Sequence, residues 1–90
     1  MSKIQASHIL VDTREAVIHL KDQLNEGADF GALAATVSKC PSGRNQGDLG
    51  PFGRGQMVQP FEDAAFALDI GKISEPVQTQ FGWHIIKRTG

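Results

Sequence analysis

Four side chains in this chain of 90 residues carry chemistry that packing alone does not require: His8, Cys40, Thr79 and His84. His8 and His84 each sit inside an apolar run, where an unpaired polar nitrogen costs about 1–3 kcal/mol. Either histidine taken singly therefore reads as a core residue with its hydrogen bonds satisfied. His19, on the charged side of the first helix beside Lys21 and Asp22, reads as a solvated surface residue. Cys40 has three readings. It is an inert thiol by default, a nucleophile if a base and an oxyanion hole stand beside it, or a zinc ligand completing an open site with His8 and His84. The zinc reading is the weakest, because no two of these residues have the close spacing usual among zinc ligands. The apolar candidates are Leu49, Met57, Phe61 and Phe81. Pro60 puts a helix start between Met57 and Phe61, so both can flank one pocket, although core packing is the usual fate of such residues.

The elements that must position these groups follow from periodicity. Lys3 to Val11 alternates and is rich in Ile, Leu and Val, which predicts a strand with Ala6, His8 and Leu10 on one face and Ser7, Ile9 and Val11 on the other. Asp12 or Thr13 then caps a helix, with Asp12 and Glu15 spaced as a capping box, running to about Glu26 with Ala16, Val17, Leu20 and Leu24 buried. Asp29 opens a second helix that fades near Ser38. Between Cys40 and Gly55, closely spaced Gly and Pro exclude a long helix, leaving loop and a short strand at Asp48 to Phe52. A third helix is predicted over Phe61 to Asp69. Lys72 to Thr79 reads as an edge strand, since Pro76 has no N–H to donate to a ladder. The last strand, Trp83 to Arg88, points His84 and Ile86 one way and Trp83 and Ile85 the other. The order is that of a single α+β domain over residues 1–90 with a small, mostly antiparallel sheet.

Composition removes several functions. Nine Lys+Arg against ten Asp+Glu leave a net charge of −1, without the cation surplus that nucleic-acid binding or a polybasic membrane anchor needs. The longest apolar run, Ala64 to Leu68, is too short to span a bilayer. A single Cys excludes an internal disulfide, and with no apolar leader core at the N-terminus a cytoplasmic setting is expected. Neither Gly47-Asp48-Leu49-Gly50 nor Gly53-Arg54-Gly55 has the spacing of a phosphate-binding loop, so nucleotide binding is not supported.

Four ordered motifs extend across nearly the whole chain: Ser7-His8-Ile9-Leu10-Val11, Gly47-Asp48-Leu49-Gly50, Gly55-Gln56-Met57 leading into Pro60-Phe61-Glu62-Asp63-Ala64, and Phe81-Gly82-Trp83-His84-Ile85-Ile86. Together they resemble the parvulin family of peptidyl-prolyl cis/trans isomerases, in particular its stand-alone, single-domain prokaryotic members. The resemblance implies an FKBP-like fold, a four-stranded antiparallel sheet surrounded by four helices, the fourth being a short one near Pro41 to Asn45. It assigns His8, Cys40, Thr79 and His84 to the catalytic centre, and Leu49, Met57 and Phe61, with Phe81 at the rim, to the proline pocket. It implies no metal, no cofactor, and proline-containing peptides or unfolded proteins as partners of a monomer.

Phosphate-directed relatives carry a longer basic segment after the first strand. Here that junction is Asp12-Thr13-Arg14-Glu15, one cation among two acids, which cannot cluster guanidinium groups around a dianion. An apolar residue before the proline is expected instead. Rotation about the X–Pro bond breaks amide resonance against a barrier of about 18–20 kcal/mol and requires no bond to the substrate. Cys40 is therefore expected to tune a hydrogen-bond network with the histidines rather than attack. Two other classes remain open on sequence grounds: a peptide-binding holdase using the same groove without turnover, and a cysteine hydrolase.

Overall fold

The computed structural model describes residues 3–90. Its elements are β1 (Ile4–Val11), α1 (Arg14–Asn25), α2 (Phe30–Val37), a 3-10 turn (Pro41–Asn45), β2 (Asp48–Phe52), α3 (Gln59–Ala67), β3 (Val77–Thr79) and β4 (Gly82–Arg88). The four strands form one antiparallel sheet in the order β2-β1-β4-β3. The expected α+β architecture holds, with three α-helices and the 3-10 turn standing where four helices were anticipated.

β1 and β4 are central and buried on both faces, so the period-two alternation of each sorts its side chains between two cores. On one face Ile9, Val11 and Ile85 pack with Val17, Leu20 and Leu24 of α1 and Phe30 and Ala34 of α2. On the other, Ile4, Ala6 and Ile86 pack with Phe52 and with Phe61 and Ala65 of α3. The parity read from sequence is the observed one, and it sends His8 and His84 to the α3 side.

Local details depart from expectation. Thr13, not Asp12, caps α1 by accepting the Ala16 N–H at 3.1 Å, while Asp12 turns toward Lys39. Ala16 is exposed, because the buried stripe of Val17, Leu20 and Leu24 leaves it on the adjoining solvent face. α3 begins and ends two residues earlier than predicted. Val58 is its N-cap, so Pro60 occupies the second helical position, and Leu68 is already extended. β3 is reduced to three residues because Pro76 breaks the ladder. Upstream of it the pairing continues as an isolated bridge between Ile73 and Lys87, with the Gly71 N–H donating to Arg88 O and the Arg88 N–H to Lys72 O. Ser74 takes over there, its N–H donating to Ile86 O at 2.8 Å and its Oγ accepting the Ile86 N–H at 3.0 Å.

Candidate active site

His8 pairs across the ladder with Ile86, and His84 with Leu10, so the two imidazoles sit diagonally on one face of adjacent strands. Their rings stack with centroids 5.1 Å apart and planes inclined by 19°. The Nδ1 atoms are 2.9 Å apart. His84 Nε2 meets Thr79 Oγ1 at 2.7 Å, and that hydroxyl also accepts the Phe81 N–H at 3.1 Å. Phe61 stands edge-on to both rings, 5.4 Å from His8 and 5.3 Å from His84 between centroids. His8 Nε2 is buried and has no hydrogen-bond partner among the described residues.

Burial governs the electrostatics. Desolvation, then the nearby His84, lowers the pKa of His8 to about 4. Desolvation lowers that of His84 to about 4 as well. Both rings are neutral at pH 7, and the Nδ1–Nδ1 contact requires that at least one of them stay neutral to accept.

Two glycines bring the backbone against the histidine strands. Gly47 lies at φ +83 with its carbonyl accepting the His8 N–H at 2.9 Å, and a Cβ there would collide with the His8 carbonyl oxygen. Gly82 opens β4 at φ +134, and a Cβ would stand 2.6 Å from Val11 O. Left-handed backbone pressed against a neighbouring strand admits only glycine.

Cys40 reaches the site by a different route. Ser38 Oγ accepts the N–H groups of Leu10 at 3.1 Å and of Cys40 at 3.3 Å, and Lys39 N–H donates to Leu10 O at 2.7 Å. This seam ties the segment before the 3-10 turn to β1. The half-buried thiol accepts from Ser42 Oγ at 3.2 Å. The expectation that Cys40 joins the histidine network is thus corrected: His8, His84 and Thr79 form one hydrogen-bonded chain, and Cys40 faces the same cleft with Ser42 as its partner. The backbone turning into Pro41 directs it there. Among the described residues no three His, Cys, Asp or Glu side chains gather as a metal-ligating group.

The cleft they share has a volume of about 480 Å³. Leu49, Met57, Phe61 and Phe81 all line it, together with His8, His84 and Cys40. Phe61 is almost fully buried and belongs to the floor, Leu49 and Met57 are half-buried, and Phe81 is exposed at the rim. Thr79 is reached only through His84. Sequence reasoning missed Leu10, Lys39, Pro41, Gln56 and Val58 among the lining residues, and Ser38 and Glu62 behind them. The parity of β1 pointed to Leu10 and the Gly55-Gln56-Met57 motif to Gln56. Nothing local marked the others.

Comparison with known proteins agrees with this geometry. The family described as "Rotamase: PPIC-type PPIASE domain" matches residues 6–90. The chain is 49% identical over 88 residues to foldase protein PrsA 4 of Bacillus cereus, covering 97% of this chain and 31% of that protein. It is 56% identical over 70 residues to peptidyl-prolyl cis-trans isomerase Pin1 of Digitalis lanata, covering 78% of this chain and 59% of that one. The solution structure of NmPin, the parvuline of Nitrosopumilus maritimus, superposes with a TM-score of 0.87 at 46% identity, covering 100% of this chain and 98% of that one. The chain spans about a third of the length of the foldase relatives it matches.

Proposed function

Because the chain belongs to the PPIC-type peptidyl-prolyl isomerase family, the parvulins, we propose that it accelerates cis/trans rotation of X–Pro bonds in peptides and in unfolded or partly folded proteins, without forming a bond to them. The observation that carries this reading is an apolar cleft closed at its floor by two neutral, mutually hydrogen-bonded histidines. The twisted amide has less charge separation than the planar one, so a site poor in water favours the transition state over the ground state. Leu49, Met57 and Phe61 hold the proline ring while the chain on the other side turns. The His8–His84–Thr79 chain keeps the polar edge in a fixed protonation pattern, and the Cys40 thiol adds a polar atom without attacking.

The residue before proline is proposed to be uncharged and apolar. Exposed Phe81 forms the rim, and the cation lining the cleft, Lys39, stands 3.9 Å from Asp12. The catalytic unit is proposed to act as a monomer, since one chain supplies every wall of the cleft. A cytoplasmic setting is proposed from the unpaired thiol. Exchange NMR or a protease-coupled assay on unphosphorylated X–Pro peptides tests the proposal with EDTA-treated protein. Acceleration is expected, strongest with Leu, Phe or Met before proline and weaker with Glu or phosphoserine. Binding without acceleration would make the domain a holdase, and a phosphoserine preference would overturn the specificity.

A further inference from the structure

The first turn of α3 contains a buried carboxylate for which bond rotation has no use. Glu62 is 4% exposed, beside Phe61 at the cleft floor. An ionised carboxylate out of water costs several kcal/mol unless its oxygens are paired. Here both are. Oε1 accepts the backbone N–H of Gly55, and Oε2 accepts from Arg54 Nη1 at 3.0 Å and from Gln59 Nε2 at 3.4 Å.

Two of those three donors lie on the loop that precedes the helix. The Arg54 guanidinium also lies 4.4 Å over the ring of Phe66, one turn further along α3. Within the loop the Gly53 N–H donates to Gln56 Oε1 at 2.6 Å. The segment from Gly53 to Met57 has no helix or strand hydrogen bonds of its own. A turn at Arg54-Gly55 and these side-chain contacts shape it, and it delivers Gln56 and Met57 to the cleft wall.

We propose that Glu62 is a positioning residue for substrate: its carboxylate latches the Gly53–Met57 loop to α3, fixing Met57 and Gln56 relative to Phe61. This rests on the isomerase reading for its consequence in turnover and on the geometry alone for its consequence in peptide binding. A bidentate acceptor suits the task, because one oxygen holds the loop backbone while the other holds the Arg54 fork.

The test compares wild type with E62A, E62Q and R54A, measuring KM and kcat on a Leu–Pro peptide and the Kd for the same peptide by NMR titration. Circular dichroism selects a temperature at which every variant is folded. E62A is expected to raise KM and Kd about tenfold while kcat falls less than about threefold. E62Q, which keeps an oxygen for the Gly55 N–H but sets its NH2 against the Arg54 guanidinium, is expected to raise Kd at least as much as R54A and less than E62A. A merely structural role would reduce the amount of active protein, lowering apparent kcat with KM and Kd unmoved, and that result overturns the latch. Should E62A fail to fold, R54A decides, since it truncates an exposed side chain: a rise of about threefold in Kd supports the latch and no change overturns it. Wild type that binds without turnover refutes the isomerase reading and leaves the latch to be judged on Kd. Wild type that does neither refutes both.

Discussion

His8 and His84 meet through like atoms, Nδ1 to Nδ1 at 2.9 Å, so one ring must donate and the other accept. Two neutral arrangements satisfy this. If the Thr79 hydroxyl donates to His84 Nε2, the proton of His84 lies on Nδ1 and His8 carries its own on Nε2. If His84 Nε2 donates to Thr79, both rings reverse. Thr79 therefore sets the tautomer of a ring it does not touch, and protonating both histidines puts two donors face to face.

The pH dependence follows from that contact. The folded-state pKa of each histidine, about 4, lies below the ordinary value of 6.5. Between those limits the unfolded chain binds more protons, so stability rises with pH from about 4 to 6.5 and these groups add no further slope above. Activity is expected to stay level from pH 8 to about 5 and to fall as both stability and the neutral pair are lost toward pH 4. Urea unfolding and exchange NMR across that range check it. An activity midpoint near 6.5 would contradict the neutral pair.

Thr79 gives a sharper test. Thr79→Val keeps the shape but leaves His84 Nε2 and the Phe81 N–H without their partner, and is expected to lower kcat/KM about tenfold. Thr79→Ser keeps the hydroxyl and should stay within about twofold. Imidazole 15N shifts should show one tautomer in wild type and in the serine variant, and a mixture in the valine variant. Equal losses in the two would assign the role to the methyl group instead.

Most of the fold was legible, and the illegible parts share a cause. Ile9 and Ile85 against Ala6 and Ile86 are sorted by strand parity, a property of nearest neighbours along the chain, so the two cores could be read directly. The pairing of His8 with His84 depends on the register of strands far apart in sequence, which periodicity does not encode; resemblance supplied it. Pro41–Asn45 is too short for a helical period to show, and its 3-10 turn was anticipated only from relatives. Cys40 was placed with the histidines by resemblance alone, its residue type leaving three readings open, and the seam of Ser38 and Lys39 on Leu10 carries its thiol to Ser42. Glu62 stands in the Pro60-Phe61-Glu62-Asp63-Ala64 motif, but no spacing there marks it as buried. Its value comes from a loop whose conformation has no sequence period at all.

The pocket and the scaffold separate at Met57 and Phe61. Met57 is half-buried on a loop, and Met57→Ala is expected to lower kcat/KM about tenfold with little change in Tm. Phe61 is 3% exposed and packs edge-on against both histidines, so Phe61→Ala should cost about 3–5 kcal/mol of stability as well as activity. Thermal unfolding alongside peptide kinetics distinguishes them. Unchanged activity in a folded Met57→Ala variant would place the proline elsewhere.

Cys40 decides between tuning and attack. A covalent route needs a thiolate generated by a base, yet the hydrogen-bond partner of the thiol is the Ser42 hydroxyl, and the histidine Nδ1 atoms are engaged with each other. A tuning role needs only a polar acceptor at that point of the cleft, and a carboxylate can take the Ser42 proton as well as sulfur does. Cys40→Asp is therefore expected to retain activity within about fivefold of wild type, while Cys40→Ala, which strands the Ser42 hydroxyl, loses more. Both variants are compared folded, by circular dichroism, in the same exchange NMR experiment. Complete and equal loss in the two, with an adduct trapped on the wild-type sulfur, would establish nucleophilic catalysis. Retention in Cys40→Asp would exclude it, because a carboxylate is far too weak a nucleophile toward an amide carbonyl to replace a thiolate in forming a tetrahedral adduct.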